Sequence, residues 1–269
     1  MKISNILSRR NRILLRELVI TDFKLRYQGS VLGYAWSVLK PLFLFAILYV
    51  VFDYIFNLGK GVPHYPVYLL TGMVLWTFFV EATTNGLQSI ISRGDLIRKI
   101  NFPKYIIVVS GTVSALINLF FNLIVVAIFM IANGVDVGWQ AILIIPLIVE
   151  LYIFALAIAF FLAALNVKFR DIGYLWEIFI QAAFYGTPVL YPLSMVISKS
   201  ELLTKIILIN PVAQVIQDAR YVLVTKESVT IWSFVTGWKV ILPFVIIVVV
   251  LILASYYFRR NQKYFAEQI

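Results

Sequence analysis

Six stretches of this 269-residue chain are apolar for close to the twenty or so residues that a helix needs to cross a bilayer. They run over residues 38–56, 66–83, 105–132, 140–165, 172–190 and 239–258. In lipid every backbone N–H and C=O must be satisfied from within, so continuous apolar runs of this length read as helices. The expected fold is an all-α membrane protein with six transmembrane helices and a single domain over 1–269. An N-terminal segment covers 1–37, the bundle 38–258, and a cytoplasmic tail 259–269. The second run is the shortest and ends among Glu81, Thr83 and Thr84, and the fifth is interrupted by Pro188 and Pro192.

Composition agrees: 62% of residues are hydrophobic and 13% charged, far from a soluble domain. The net charge of +10 would suggest nucleic acid in a soluble chain, but here the basic residues flank the apolar runs. Orientation and anionic membrane lipid account for them, and no nucleic-acid partner is expected. On a six-span topology, 17 of the 23 Lys and Arg residues fall on one side, which makes that side, and both termini, cytoplasmic. The chain lacks cysteine, which excludes disulfides and thiolate metal sites.

Ahead of the first span, Leu7, Leu14, Leu15, Leu18 and Leu25 share one helical face and Arg9, Arg12 and Arg16 the opposite one. That pattern fits an amphipathic helix lying in the headgroup plane, or a helix packed on a partner. Between the fifth and sixth runs, residues 191–238 hold apolar pieces too short or too polar to cross. The "GTPVLYP" break beside them must be buried in protein or line a cavity, so short re-entrant or outer-face helices are expected.

No G-x-x-x-x-G-K-[ST] loop, H-E-x-x-H motif or carboxylate pair is present, so no catalytic residue, no metal site and no nucleotide site belongs to this chain. His64 lies in "GKGVPHYP" and reads as a turn residue. Glu150, in the middle of the fourth run, either hydrogen-bonds neighbouring helices or meets a substrate or gate. Phe45, Tyr49, Phe52 and Phe56 fall at i, i+4, i+7 and i+11, one helical stripe, and Trp176, Phe179 and Tyr185 follow in the fifth run. Such a stripe serves packing or a path on whose ring faces sugars slide. The stretch "SRGDLIRKINFPKY", between the second and third runs, is cytoplasmic by its charges. Its Leu96, Ile97 and Ile100 form an apolar ridge at helical spacing, more than a topology-fixing loop requires.

Four blocks stand in order: "LLRELVITDFKLRYQGSVLGYAWSVLKPLF", "LWTFFVEATTNGLQSIISRGDLIRKINFPKY", "LNVKFRDIGYLWEIFIQAAFYGTPVLYPLSMV" and "INPVAQVIQDARYVL". With them the chain resembles the permease subunit of type-2 ABC exporters of polysaccharides and polyol phosphates, which serve O-antigen, teichoic-acid and capsule export. The resemblance implies a homodimer in the cytoplasmic or inner membrane of a bacterium or archaeon. It implies two copies of a separate ABC ATPase, which carry ATP and Mg, and a lipid-linked glycan as substrate. It places the ATPase-coupling helix on Asp95, Leu96, Ile97, Arg98 and Lys99. It places an ATPase or headgroup contact on Arg16, Glu17, Asp22 and Arg26. Phe45, Tyr49, Phe52, Phe56, Trp176, Phe179 and Tyr185 become channel-lining residues, and Pro188, Tyr191 and Pro192 an outer-face gate. A type-2 permease for a drug or small lipid, and a membrane-embedded lipid-modifying enzyme, are the alternatives.

Overall fold

The computed structural model describes residues 9–268. Among them there is no strand. In chain order the helices are α1 (Arg9–Tyr27), α2 (Trp36–Tyr49), α3 (Tyr65–Ser89), α4 (Gly94–Lys99), α5 (Tyr105–Ala132), α6 (Ile144–Lys168) and α7 (Ile172–Gly186), followed by α8 (Ser194–Ile197), α9 (Glu201–Ile209), α10 (Pro211–Leu223), α11 (Ile231–Phe234), α12 (Leu242–Asn261) and α13 (Phe265–Gln268). With their helical extensions, five stretches are long and apolar enough to cross a membrane: Gly33–Ile55, Tyr65–Ser89, Tyr105–Ala132, Trp139–Lys168 and Gly237–Asn261.

α3 is the axis of the bundle. It packs against α5, α6 and α10, and α12 covers the far side of α6. It is the least apolar of the five stretches and the most enclosed, because its neighbours are protein rather than lipid. For the same reason it runs past the expected end at Thr83 to Ser89. Asn118 of α5 donates to Glu81 at 2.6 Å, and the Thr83 hydroxyl donates to the Phe79 carbonyl at 2.8 Å. Two of the three polar groups that suggested a terminus, Glu81 and Thr83, are satisfied inside the bundle, and Thr84 lines a cavity. Gly86 lets α3 approach α6 at Ala159, where a side chain at position 86 would run into the Ala159 methyl.

The expected fifth span differs most. α7 has 15 residues, a rise of about 22 Å against a hydrocarbon core of about 30 Å. Its helix stops where Thr187 turns extended, ahead of Pro188, since proline disfavours helical geometry in the residue before it. Beyond it, Leu193, Leu208, Ile231 and Val235 form a small separate core that joins α8 to α11. Ser200 caps α9, and Asn210, followed by Pro211, caps α10.

α2 carries Pro41 inside it, and proline has no N–H for the Ser37 carbonyl four residues back. Asn122 of α5 supplies the missing donor, its Nδ2 lying 3.1 Å from the Ser37 oxygen. Replacing Asn122 with Leu should therefore lower the unfolding free energy by about 1–2 kcal/mol. Adding Pro41→Ala, which restores the N–H, should recover part of that loss in thermal unfolding of the detergent-solubilised chain. A double variant no better than Asn122→Leu alone would show that the amide serves something else.

Candidate functional site

The helix expected to couple to an ATPase exists as α4, held at the corner between α3 and α5. Ile97, only 3% exposed, is buried with Leu18, Ile90, Phe102, Phe258 and Phe265, which brings α1, α12 and α13 to the same point. This corrects the expected ridge: Ile97 faces inward, because the tail that follows α12 folds back over α4. Leu96 is half-buried, whereas Asp95, Arg98, Lys99 and Ile100 are exposed. Burial at the foot of α5 pulls the Lys104 ammonium below its usual range, and it rests 4.8 Å from the centre of the Phe102 ring.

α1 is tied to the same corner. Arg93, just ahead of α4, forms an ion pair with Asp22. Leu14, Leu15 and Leu18 pack into the cluster around Ile97, so protein covers much of the apolar face of α1. Arg16 and Glu17 are exposed. The Arg26 side chain and Leu7, also named above, lie outside the described residues.

The aromatic stripe of the first span is divided. Phe45 is buried, edge-on to Phe129 at 5.5 Å, and Tyr49 turns toward Tyr65, so these two pack the core. Residues Val50–Ile55 form a π-helical segment. Its i→i+5 bonding, seen in Phe56 N–H to the Val51 carbonyl, adds a residue to the turn and rotates the stripe. Phe52 is half-buried and Phe56 exposed as a result.

α7 behaves differently. Trp176 and Phe179 stack at 5.2 Å, and Tyr174, Phe179 and Tyr185 are 73%, 57% and 69% exposed. Beneath α7, against α3 and the end of α6, lies a cavity of about 650 Å³ lined by Gln88, Asn166, Arg170, Trp176, Glu177 and Gln181, among others. Amides, one guanidinium, one carboxylate and an indole make a lining that can hydrogen-bond and stack on a polyhydroxylated ligand. Tyr174 and Gln181 were not singled out from sequence, although the spacing of "YLWEIFIQ" places Tyr174 and Gln181 seven residues apart, on one face.

At the end of the bundle opposite α4 the deciding residue is Arg220, fully buried in α10. Its Nη1 donates to the Pro188 carbonyl at 2.5 Å and to Gln217 Oε1 at 2.9 Å. Nη2 donates to the Val189 carbonyl at 2.6 Å, and Nε to the Tyr68 carbonyl at 3.0 Å. The guanidinium also lies 3.7 Å from the centre of the Tyr68 ring, and Gly72 leaves it room that any side chain would fill. Tyr65 Oη donates to the Leu190 carbonyl at 2.9 Å. The break expected to need burial is thus buried, with its carbonyls bound. Pro188 and Pro192 are enclosed, and Tyr191 reaches back to the Tyr185 carbonyl.

Glu150 faces α10, near Gln214 and Asp218, rather than lipid. Gln214 and Trp232 both donate to Asp218, at 2.7 and 3.2 Å. His64 is the turn residue expected, left-handed at φ 53° where α3 begins.

Residues 13–224, which run from α1 through α10, match the family described as ABC-2 type transporter. The chain is 33% identical to an O-antigen export system permease protein RfbA of Klebsiella pneumoniae, over 76% of this chain and 78% of that protein. A protein of the same name from Myxococcus xanthus is 32% identical over 70% of this chain and 72% of its own length.

Arg220→Gln should cost about 3–5 kcal/mol, because it orphans the buried Pro188 and Val189 carbonyls and removes a second donor from the Tyr68 carbonyl, and Arg220→Lys should recover only part of it for want of the planar fork. Hydrogen exchange at 187–193 should rise sharply in Arg220→Gln while α5 stays protected. Unchanged exchange there would remove Arg220 from this role.

Proposed function

Since this chain belongs to the ABC-2 type transporter family, we propose that it is the transmembrane subunit of an exporter that moves a lipid-linked cell-envelope polysaccharide out across the cytoplasmic membrane. The observation that carries this reading is the identity of about a third to O-antigen export permeases, spread over most of both chains. The alternatives of a drug permease or a lipid-modifying enzyme have no comparable support.

In this reading α7 and residues 187–193 together make the sixth crossing. The helix covers about three quarters of the hydrocarbon core and the Arg220-bound segment the rest, inside protein where irregular backbone is tolerated. An even number of crossings then puts both termini on the cytoplasmic side with the bulk of the basic residues.

The energy enters through a partner. Two copies of this chain pair, each docked to a separate ATPase that binds ATP and Mg. Asp95, Arg98, Lys99 and Ile100 form the face of α4 open to it, while Ile97 fixes α4 to the permease. Closure of the ATPases displaces α4 together with α1, α12 and α13, since one apolar cluster and the Asp22–Arg93 pair join them. α2 and α7 present the broad apolar and aromatic faces of Phe43, Ile47, Tyr174, Ile178, Phe179 and Tyr185, and these line the dimer axis and the glycan path. Stacked rings hold a sugar weakly at many positions, which lets a polymer slide. The cavity with Arg170, Trp176 and Gln181 receives the polar end of the substrate at the cytoplasmic side.

The test is reconstitution. With the ATPase present, vesicles should export lipid-linked glycan on ATP addition, and export by this chain without any ATPase would sink the proposal. Replacing Asp95, Arg98 and Lys99 together by Ala should lower ATPase co-purification and export by about tenfold or more with unchanged thermal stability. Ile97→Ala should do the reverse at first order, costing about 2–4 kcal/mol of stability.

A further inference from the structure

A second cavity, of about 370 Å³, opens where α1 crosses the inner ends of α5, α6 and α12. Its walls are apolar: Leu15, Ile106, Phe160 and Phe258 lie along it. Arg12 of α1 and Arg259 of α12 stand at it, and no carboxylate is among the lining residues. Both arginines are exposed, and neither has an ion-pair partner among the described residues. Arg9 and Arg16 extend the same uncompensated positive edge along α1. None of the walls comes from α2 or α7, so this cavity is separate from the path proposed for the glycan.

Here the chemistry specifies one occupant. Apolar walls lie beside a pair of free guanidiniums, at the end of the bundle where α12 passes out of its apolar run into Arg259 and Arg260. An acyl chain matches the walls, and a phosphate diester matches the arginines, which present planar paired donors. A basic cleft between helices at this level is the setting in which anionic headgroups are held. We infer that Arg12 and Arg259 form a binding site for one anionic phospholipid, which wedges α1 against α5 and α12. The inference needs only that the chain is embedded in a membrane, and stands or falls independently of the transported substrate.

Native mass spectrometry of the full chain, titrated with phosphatidylglycerol, phosphatidylcholine or a polyprenyl phosphate, tests it. About one phosphatidylglycerol per chain should be retained in preference to phosphatidylcholine. Arg12→Gln with Arg259→Gln should weaken that retention about 25-fold, at about 1 kcal/mol per arginine and 1.4 kcal/mol per tenfold. Binding of phosphatidylcholine should not change, and Lys199→Gln with Lys205→Gln, on the outer helices, should leave both lipids unaffected. Equal retention of the two phospholipids, or retention indifferent to the arginines, would overturn the site. So would displacement of phosphatidylglycerol by the polyprenyl phosphate, which would give the cleft to a carrier lipid instead.

Discussion

A fully buried guanidinium, Arg220, governs the half of this protein opposite α4. Placing such a group inside a membrane bundle is costly unless its donors are spent on good acceptors. The acceptors it finds are carbonyls that would themselves be orphaned by the break after α7. Two liabilities cancel: the broken helix supplies oxygen atoms that no intrahelical N–H reaches, and the arginine supplies donors aimed at them. Because a third carbonyl belongs to Tyr68 of α3, the irregular segment is fixed to the axis of the bundle.

The end of the bundle around α4 follows a different principle. There the joining element is apolar, a cluster in which residues of α1, α4, α5, α6, α12 and α13 meet around Ile97 and Phe265. Close-packed apolar contacts transmit displacement because they are stiff and cannot be stretched without opening a void. The cluster therefore makes the end of the bundle around α4 a rigid unit, in contrast to the aromatic, largely exposed α7. The Asp22–Arg93 pair adds a polar tie between α1 and the corner ahead of α4, so α1 cannot move apart from it without separating two charges.

Particular residues mark how far the sequence could be read. The spans at 105–132 and 140–165 were legible to within a few residues, since lipid-facing helices show unbroken apolarity. α3 was cut short at Thr83 because polarity inside a bundle looks the same in sequence as polarity at its edge. Only the Asn118–Glu81 bond distinguishes the two. The stripe from Phe45 to Phe56 assumed a constant helical period, which the π-helical stretch breaks. Ile97 shows in sequence as one member of an apolar ridge with Leu96 and Ile100, because nothing local announces that Phe265, far along the chain, returns to cover it. Arg220 stands in the "INPVAQVIQDARYVL" block with nothing local to give it a role, and the "GTPVLYP" break shows in sequence only as a segment that must be buried or line a cavity. What joined them is a contact between residues 32 apart.

The sequence by itself determined the number of long apolar runs, the side on which basic charge gathers, the absence of a nucleotide motif and the location of a short charged helix between two spans. These are properties of composition and period along one dimension, and the bilayer acts on them directly. The tertiary structure decided which apolar faces are covered, which polar groups are partnered and where a helix may stop. Those outcomes depend on donors and acceptors brought together from distant positions, and in a low-dielectric interior an unpaired group costs enough to select the arrangement.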